Sequence, residues 1–189
     1  MSKVAIQGAA TGTGVFTLAS PATNTDRVLT LPDEAGTILT TATAGVSIGG
    51  PAFSAYKSGS TFVSITSGVF TKITLDTEVF DTNSNFASST FTPTVAGYYQ
   101  INAQVYIQGI SVTRSLAVIY KNGSAYQNGN EYQTNANLTA SRISVSSIVY
   151  CNGTTDYVEL YMYANGSSLS YLPGNGLDVW LNGALVRAA

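Results

Sequence analysis

The sequence predicts an all-β fold, an antiparallel sandwich or jelly roll preceded by an extended N-terminal arm with short strands. The first observation is the segment 98–108, where apolar and polar residues alternate with the period of a half-buried strand. Its buried set is expected to be Tyr99, Ile101, Ala103, Val105 and Ile107. The second is a set of Asn-Gly pairs, each able to supply the two positive-φ residues of a type I′ hairpin turn. These pairs begin at Asn122, Asn128, Asn152, Asn165, Asn175 and Asn182.

Aromatic residues divide the chain into an arm and a head. Of its 12 tyrosines, 7 phenylalanines and single tryptophan, only Phe16 precedes Phe53. The residues before Phe53 therefore lack the large side chains that dominate core burial. We expect an attachment arm over residues 1–43, a Gly-rich linker over 44–51 and a jelly-roll head domain over 52–189.

The arm contains short apolar alternations separated by glycines and prolines. Each could add one short strand, but none could bury a face alone, because two-stranded elements are marginally stable in water. We therefore expect the arm to dock on a partner, a sister chain or a larger assembly. The residues expected to anchor it to a particle are Val4, Ile6, Phe16, Leu18, Leu29 and Leu31.

Within the head, runs rich in β-branched and aromatic residues predict strands, and no run shows a convincing helical period. The predicted strands are 61–65, 69–75, 98–108, 115–121, 142–150, 157–163, 169–172 and 177–186. In the run 157–163, apolar residues alternate mainly with tyrosines, which predicts one core face and one tyrosine-lined surface. The pair Asn182-Gly183 interrupts the last run, so a bulge is the alternative to a turn there.

Charged residues make up only 10% of the chain and the net charge is −2, whereas an ordinary domain carries about 25% charged residues. Such a surface favours an obligate oligomer, with neutral amides and hydroxyls supplying the remaining solubility. No basic run is present to neutralise phosphates, so we expect no nucleic-acid binding. No run approaches the roughly 18 apolar residues of a membrane span, so we expect no membrane insertion.

The sequence offers little for catalysis. It contains no histidine and one cysteine, which removes the common zinc sites and nucleophile–base pairs. The closest group of three acidic residues is Asp76, Glu78 and Asp81. Such carboxylates can bind calcium or act on a glycosidic bond, but a solvated strand edge is the preferred interpretation. Cys151 is expected to be a buried small hydrophobe. We therefore predict no enzymatic activity, no catalytic residue, no bound metal and no cofactor.

The segment 123–139 is predicted to be a loop and is the best candidate for ligand contact. Tyrosines interspersed with amides suit a carbohydrate- or protein-binding surface, because aromatic faces stack and amides hydrogen-bond. The alternative is an exposed polar loop without a ligand. The candidate ligand-binding residues are Tyr126, Asn128, Asn130 and Tyr132. Four other tyrosines are expected to make packing or subunit contacts and not to bind a ligand; these are Tyr98, Tyr106, Tyr161 and Tyr163.

A set of motifs spread over the head resembles a known family. Phe91, Pro93, Gly97, Tyr99 and Ile101 resemble the signature of the globular head of the complement q-subcomponent, a jelly roll related to the tumour-necrosis-factor fold. Further matches follow in the family's order at 118–123, 156–160 and 180–185. The resemblance covers about residues 52–187 and implies a homotrimer. No collagen repeat precedes the domain, and a longer segment replaces the family's tight turn at 152–155.

The arm has a resemblance of its own. Segments 4–8, 18–27, 29–33 and 36–39 look like segments of bacteriophage tail fibres and other virion surface proteins. This resemblance implies a non-enzymatic protein, made in the host cytoplasm, whose arm binds phage capsid or tail proteins at the virion surface. The head is then a homotrimeric fibre-type adhesin for a host-surface polysaccharide or protein. The alternative is a capsid decoration or cement protein that stabilises the shell.

Overall fold

The structure, a computed structural model, describes residues 50–189 apart from the side chains of residues 135–138. The residues predicted to anchor the arm lie outside the described residues; these are Val4, Ile6, Phe16, Leu18, Leu29 and Leu31. Ten β-strands and one short 3-10 turn make up the described part. No helix in this part of the chain is long and apolar enough to cross a membrane.

All of the strand pairings are antiparallel, which confirms the predicted all-β, antiparallel fold class. The strands are β1 (Ala52–Tyr56), β2 (Val63–Ser64), β3 (Thr71–Lys72), β4 (Thr77–Asp81), β5 (Phe86–Ala87), β6 (Thr90–Phe91), β7 (Ala96–Lys121), β8 (Ser124–Asn152), β9 (Val158–Tyr171) and β10 (Trp180–Ala188). The 3-10 turn spans Gly174–Gly176 and precedes β10. In place of the predicted strands 61–65 and 69–75, the structure has the two-residue strands β2 and β3. Among the described residues, both pair with β9.

The long strands β7 and β8 each contribute to two layers. Residues 96–108 of β7 pair with residues 140–152 of β8, and together with β10, β1 and β4 they form the front sheet, in the order β4–β1–β10–β7–β8. Residues 114–121 of β7 pair with 124–133 of β8 and with 158–165 of β9. Together with β6 and β5 they form the back sheet. The core lies between the two sheets.

Two sequence expectations about β7 and β8 need correction. The predicted strands 98–108 and 115–121 are one strand, whose register shifts between Gln108 and Val112. The predicted loop 123–139 is instead the first half of β8. Within the described residues that segment is an edge strand of the back sheet, paired with β7, and most of its described side chains are exposed, so its sequence shows no apolar face.

The alternation predicted for 98–108 is confirmed, because its inward-facing residues are fully buried; they are Tyr99, Ile101, Ala103, Val105 and Ile107. Aromatic packing extends this core, since Phe53 stacks on Phe91 and Phe86 with ring centroids 4.2 and 5.0 Å apart. Tyr99 meets Phe91 edge-on at 5.4 Å and donates its hydroxyl hydrogen bond to the Val95 carbonyl at 2.6 Å. Burial raises the pKa of Tyr99 to about 12.

The Asn-Gly pairs serve different purposes. At the β7–β8 hairpin tip, Asn122 and Gly123 have φ values of 53° and 75°, as a type I′ turn requires. Gly183, by contrast, lies inside β10 in unbroken register with β7. The bulge considered at Asn182-Gly183 is therefore wrong, since the irregularity in β10 falls between Leu185 and Arg187.

Candidate functional site

Four large apolar or aromatic side chains form an exposed cluster on the outward face of the front sheet. This apolar patch consists of Tyr98, Ile148, Tyr150 and Val186, each between 40% and 60% exposed. Tyr98 lies opposite Tyr150 across β7 and β8, with the ring centroids 5.4 Å apart. Outward positions of a half-buried sheet are normally polar, so the patch indicates a surface that another molecule covers.

The apolar patch lies at the end of the sandwich where the described residues begin and end. A shallow depression connects the patch to Ala189. The Leu185 amide donates a hydrogen bond to the Pro51 carbonyl at 2.9 Å, and the Ala189 amide donates to the Ala96 carbonyl at 3.0 Å. Pro51, near the start of the described residues, therefore lies beside the patch.

A row of neutral polar side chains continues the front face beyond the patch. The Gln100 amide donates to the Ser146 hydroxyl at 2.8 Å, and that hydroxyl donates to the Asn102 amide oxygen at 2.8 Å. The Asn102 amide nitrogen donates to Asn182 Oδ1 at 3.2 Å. Because these groups bond to one another and carry no charge, a partner can cover them without desolvating an ion.

Two of the predicted ligand-binding residues, Asn128 and Asn130, border a recess beside the front face. The recess has a volume of about 440 Å³ and is also lined by Asn102, Ser144 and Trp180. The Asn130 amide oxygen accepts a hydrogen bond from the Ser144 backbone amide and another from its hydroxyl, the latter at 3.3 Å. Amides beside an indole suit a small polar ligand, and for these two residues the ligand role stays a prediction.

The other two predicted residues, Tyr126 and Tyr132, do not line this recess. Tyr126 is exposed, and its hydroxyl donates to the Ile148 carbonyl at 3.4 Å, beside the apolar patch. Tyr132 is half-buried and lies opposite Ser115 of β7. The four residues are therefore not gathered into one ligand site, and the role of both tyrosines also stays a prediction.

The turn that begins at Asn152, where the sequence departs from the resembled family, is held by its own side chains. The Asn152 amide oxygen accepts hydrogen bonds from the backbone amides of residues 154–156 at 2.9 to 3.0 Å. The Asp156 carboxylate accepts from the Asn122 amide at 2.7 Å and pairs with Lys121 at 2.9 Å. These interactions lower the pKa of Asp156. The turn thus ties the β8–β9 connection to the β7–β8 hairpin.

Asp76 and Asp81, from the acidic group singled out in the sequence, have separate partners. Partial burial alone would raise the pKa of Asp76, but hydrogen bonds from Lys57 and from the Ser58 amide hold it well below its usual range. Asp81 accepts a hydrogen bond from a nearby backbone amide at 2.7 Å. Within residues 50–189, no group of three or more His, Cys, Asp or Glu is placed to hold a metal. Cys151 is buried as predicted, and its burial raises the thiol pKa to about 11.

The strand order and the aromatic core between two antiparallel sheets define the described part of the chain as a jelly-roll domain. No family model and no curated protein matches the sequence.

Solved structures with the same fold include the globular domain of zebrafish complement 1qA protein, at 15% identity and a TM-score of 0.52, covering 74% of this chain and 99% of that one. Murine APRIL matches at 8% identity and a TM-score of 0.54, covering 72% and 98%. Eiger TNF from S. frugiperda matches at 7% identity and a TM-score of 0.55, covering 75% and 95%. This likeness confirms the complement- and TNF-like jelly roll that the signature beginning at Phe91 implies.

Proposed function

We propose that the protein is a non-enzymatic, homotrimeric surface protein of a bacteriophage virion, of the fibre or head-fibre type. Its N-terminal arm anchors it to phage capsid or tail proteins, and its jelly-roll head is displayed for attachment to a host-surface polysaccharide or protein. The observation that carries this proposal is the apolar patch, which lies beside Pro51, near the start of the described residues.

The trimer is supported by the character of the front face. The apolar patch gives a partner hydrophobic area to bury, and the neutral row next to it gives directional hydrogen-bonding groups. A second copy of this chain suits such a surface, because only 10% of its residues are charged. Three copies follow from the resemblance of the head, and turning each front face toward a common axis covers all three patches.

The anchoring role is supported by the difference between the two ends of the head. The described residues begin at the patch end, so in the proposed trimer the three copies of Gly50 lie together around the axis. The opposite end, near Tyr106, lies about 26 Å farther along β7 at the usual rise per residue. There Gly59 donates its amide hydrogen bond to Asn175 Oδ1 at 2.9 Å, and Ile110 and Leu177 are exposed. That end faces away from the particle.

The phage context rests on the resemblance of the arm segments to virion surface proteins. The second candidate function is capsid decoration, in which the protein stabilises the shell by clamping neighbouring subunits. Both candidates share the trimer and the anchoring arm.

Antibody labelling of virions, followed by a cell-binding assay, tests the proposal. Label on intact particles is expected, at the capsid or the tail, and absence of the protein from purified virions would refute both candidates. The purified full-length chain is expected to bind host cells saturably. No detectable binding at roughly micromolar concentration, where an association free energy of about −8 kcal/mol would register, would leave decoration as the function.

A further inference from the structure

A cluster of aromatic side chains lies on the outward face of the back sheet. This aromatic platform consists of Phe70, Tyr120, Tyr161 and Tyr163. The rings of Tyr120 and Tyr161 stack with centroids 3.9 Å apart and an interplanar angle of 19°. The Phe70 centroid lies 5.0 Å from that of Tyr163 and 6.1 Å from that of Tyr120. The rings therefore form one continuous surface.

Two buried aliphatic residues support the platform. Leu116 lies opposite Tyr163 and Val118 lies opposite Tyr161 in the pairing of β7 with β9, so these side chains share one face of the sheet. Leu116 and Val118 are at most 1% exposed, although neither belongs to the central core cluster. The platform covers them and is held against a packed base, with the exposed ring of Phe70 at its border. A surface fixed in this way loses little conformational entropy on binding.

The ionic groups that border the platform are paired. Arg114 Nε lies 2.5 Å from Glu131 Oε1, and the guanidinium lies 5.0 Å from the centroid of the Tyr163 ring. Lys72 Nζ lies 2.7 Å from Glu159 Oε1. Each positive charge is therefore matched by a negative one, and the border favours neither an anionic nor a cationic ligand. This charge pattern fits a neutral ligand.

We propose that the aromatic platform binds a neutral, β-linked polysaccharide with equatorial hydroxyl groups. The axial C–H groups of such a pyranose form a flat, apolar face that packs against the negative face of an aromatic ring. Tyrosine hydroxyls can donate to and accept from the hydroxyls of the sugar. The inference rests on the proposed attachment function and names its ligand class.

The platform and the apolar patch lie on opposite sheets. The sequence predicts packing or subunit contacts for Tyr161 and Tyr163, but both lie on the back sheet, whereas Tyr98 of the patch lies on the front sheet. Covering the front face in an oligomer leaves the outward face of the back sheet open. The platform therefore remains accessible in the proposed trimer.

Calorimetric titration of the full-length chain with cellohexaose, a soluble neutral β-linked probe, tests the platform. Saturable binding is expected with a Kd on the order of 1 mM. Phe70→Ala should raise that Kd about threefold to tenfold, the size of one aromatic contact, and Phe70→Trp should restore it. The matched control is Phe62→Ala, because Phe62 is 45% exposed and Phe70 is 42% exposed, but Phe62 lies outside the platform. The control should leave the Kd unchanged.

Absence of cellohexaose binding at about 10 mM probe, or a folded Phe70→Ala chain that binds as tightly as wild type, would overturn the proposal. Preferential binding of oligogalacturonate, an anionic probe, would overturn the neutral ligand class. Host-cell binding separates this inference from the attachment function. A chain that binds cellohexaose through Phe70 but does not bind cells refutes attachment alone, whereas cell binding that is unchanged in Phe70→Ala refutes the platform alone.

Discussion

Replacing Ile148 with aspartate is expected to dissociate the proposed trimer without unfolding the head. Ile148 is 52% exposed in the single chain, so about half of its side-chain area remains to be buried on association. Full burial of an isoleucine side chain contributes about 1.5–3 kcal/mol, so each patch loses about 1 kcal/mol. A trimer contains three patches, and the total loss is about 3 kcal/mol before the cost of desolvating the new carboxylates is added.

Light scattering measures this effect directly. The wild-type chain is expected at about 59 kDa, three times the chain mass of 19.7 kDa. A loss of about 3 kcal/mol weakens association more than a hundredfold, so Ile148→Asp should move toward 19.7 kDa as the sample is diluted. The matched control is Ile110→Asp, since Ile110 is 61% exposed but lies outside the patch. The control chain should remain trimeric.

A wild-type chain that is monomeric at micromolar concentration would refute the proposed trimer itself. An Ile148→Asp chain that keeps the wild-type mass and dilution behaviour would show that the apolar patch is not the surface that associates. Circular dichroism of both variants checks that the head remains folded, so that a change in mass reports association. If Ile110→Asp dissociates to the same extent, an added charge outside the patch has the same effect as one inside it. That result would also contradict the assignment of the patch as the associating surface.

Three further outcomes concern the stability of the head. Because the pKa of Asp156 is lowered in the folded state, its interactions stabilise the fold above the unfolded pKa of about 3.9, and this stability is lost as pH falls through the folded pKa. The urea midpoint should therefore drop less toward acid pH in Asp156→Asn than in wild type. Equal drops in the two chains would contradict this role. Cys151, buried with a thiol pKa of about 11, should react with a thiol reagent only after unfolding, and rapid reaction of the native chain would show an accessible thiol. Gly183→Ala should lower the free energy of unfolding by about 1–3 kcal/mol, because the new Cβ would lie 2.6 Å from Ile101 Cδ1. The control Ala184→Ser, at an exposed neighbour, should unfold near the wild-type midpoint.

Strand faces could be predicted from the sequence wherever one face was apolar. The alternation of 98–108 identified the buried residues of β7 one by one, because a period of two fixes the face of every side chain. The same pattern does not fix what pairs with the strand. The sequence predicts a loop in place of the first half of β8, because the side chains of this edge strand are mostly exposed and show no apolar face. Strands as short as Phe86–Ala87 carry too few residues for any period to be recognised.

The two surfaces could not be located from the sequence, because distant segments build them. Tyr98, Ile148 and Val186 lie far apart in the chain and meet only through the pairing of β7 with β8 and β10. The alternation in 157–163 predicts that tyrosines such as Tyr161 face outward, but it does not indicate which sheet carries them. The sheet is decided by the bend in β7, where Ser111 adopts a φ of 54°. A local serine-glycine-rich pattern is too common in this chain to predict that bend.

The apolar patch and the aromatic platform lie on different sheets, so their effects on association and on binding can be tested separately. If the apolar patch serves association and the aromatic platform serves binding, their substitutions should act independently, because the surfaces lie on opposite sheets and share no residue. Ile148→Asp should therefore leave the Kd for cellohexaose of each chain unchanged, while Phe70→Ala should leave the mass unchanged. Binding to a host surface should still weaken in Ile148→Asp, since three linked platforms bind a repeating polymer more tightly than one. An Ile148→Asp chain that is monomeric but adheres to cells as strongly as wild type would show that attachment does not depend on the trimer.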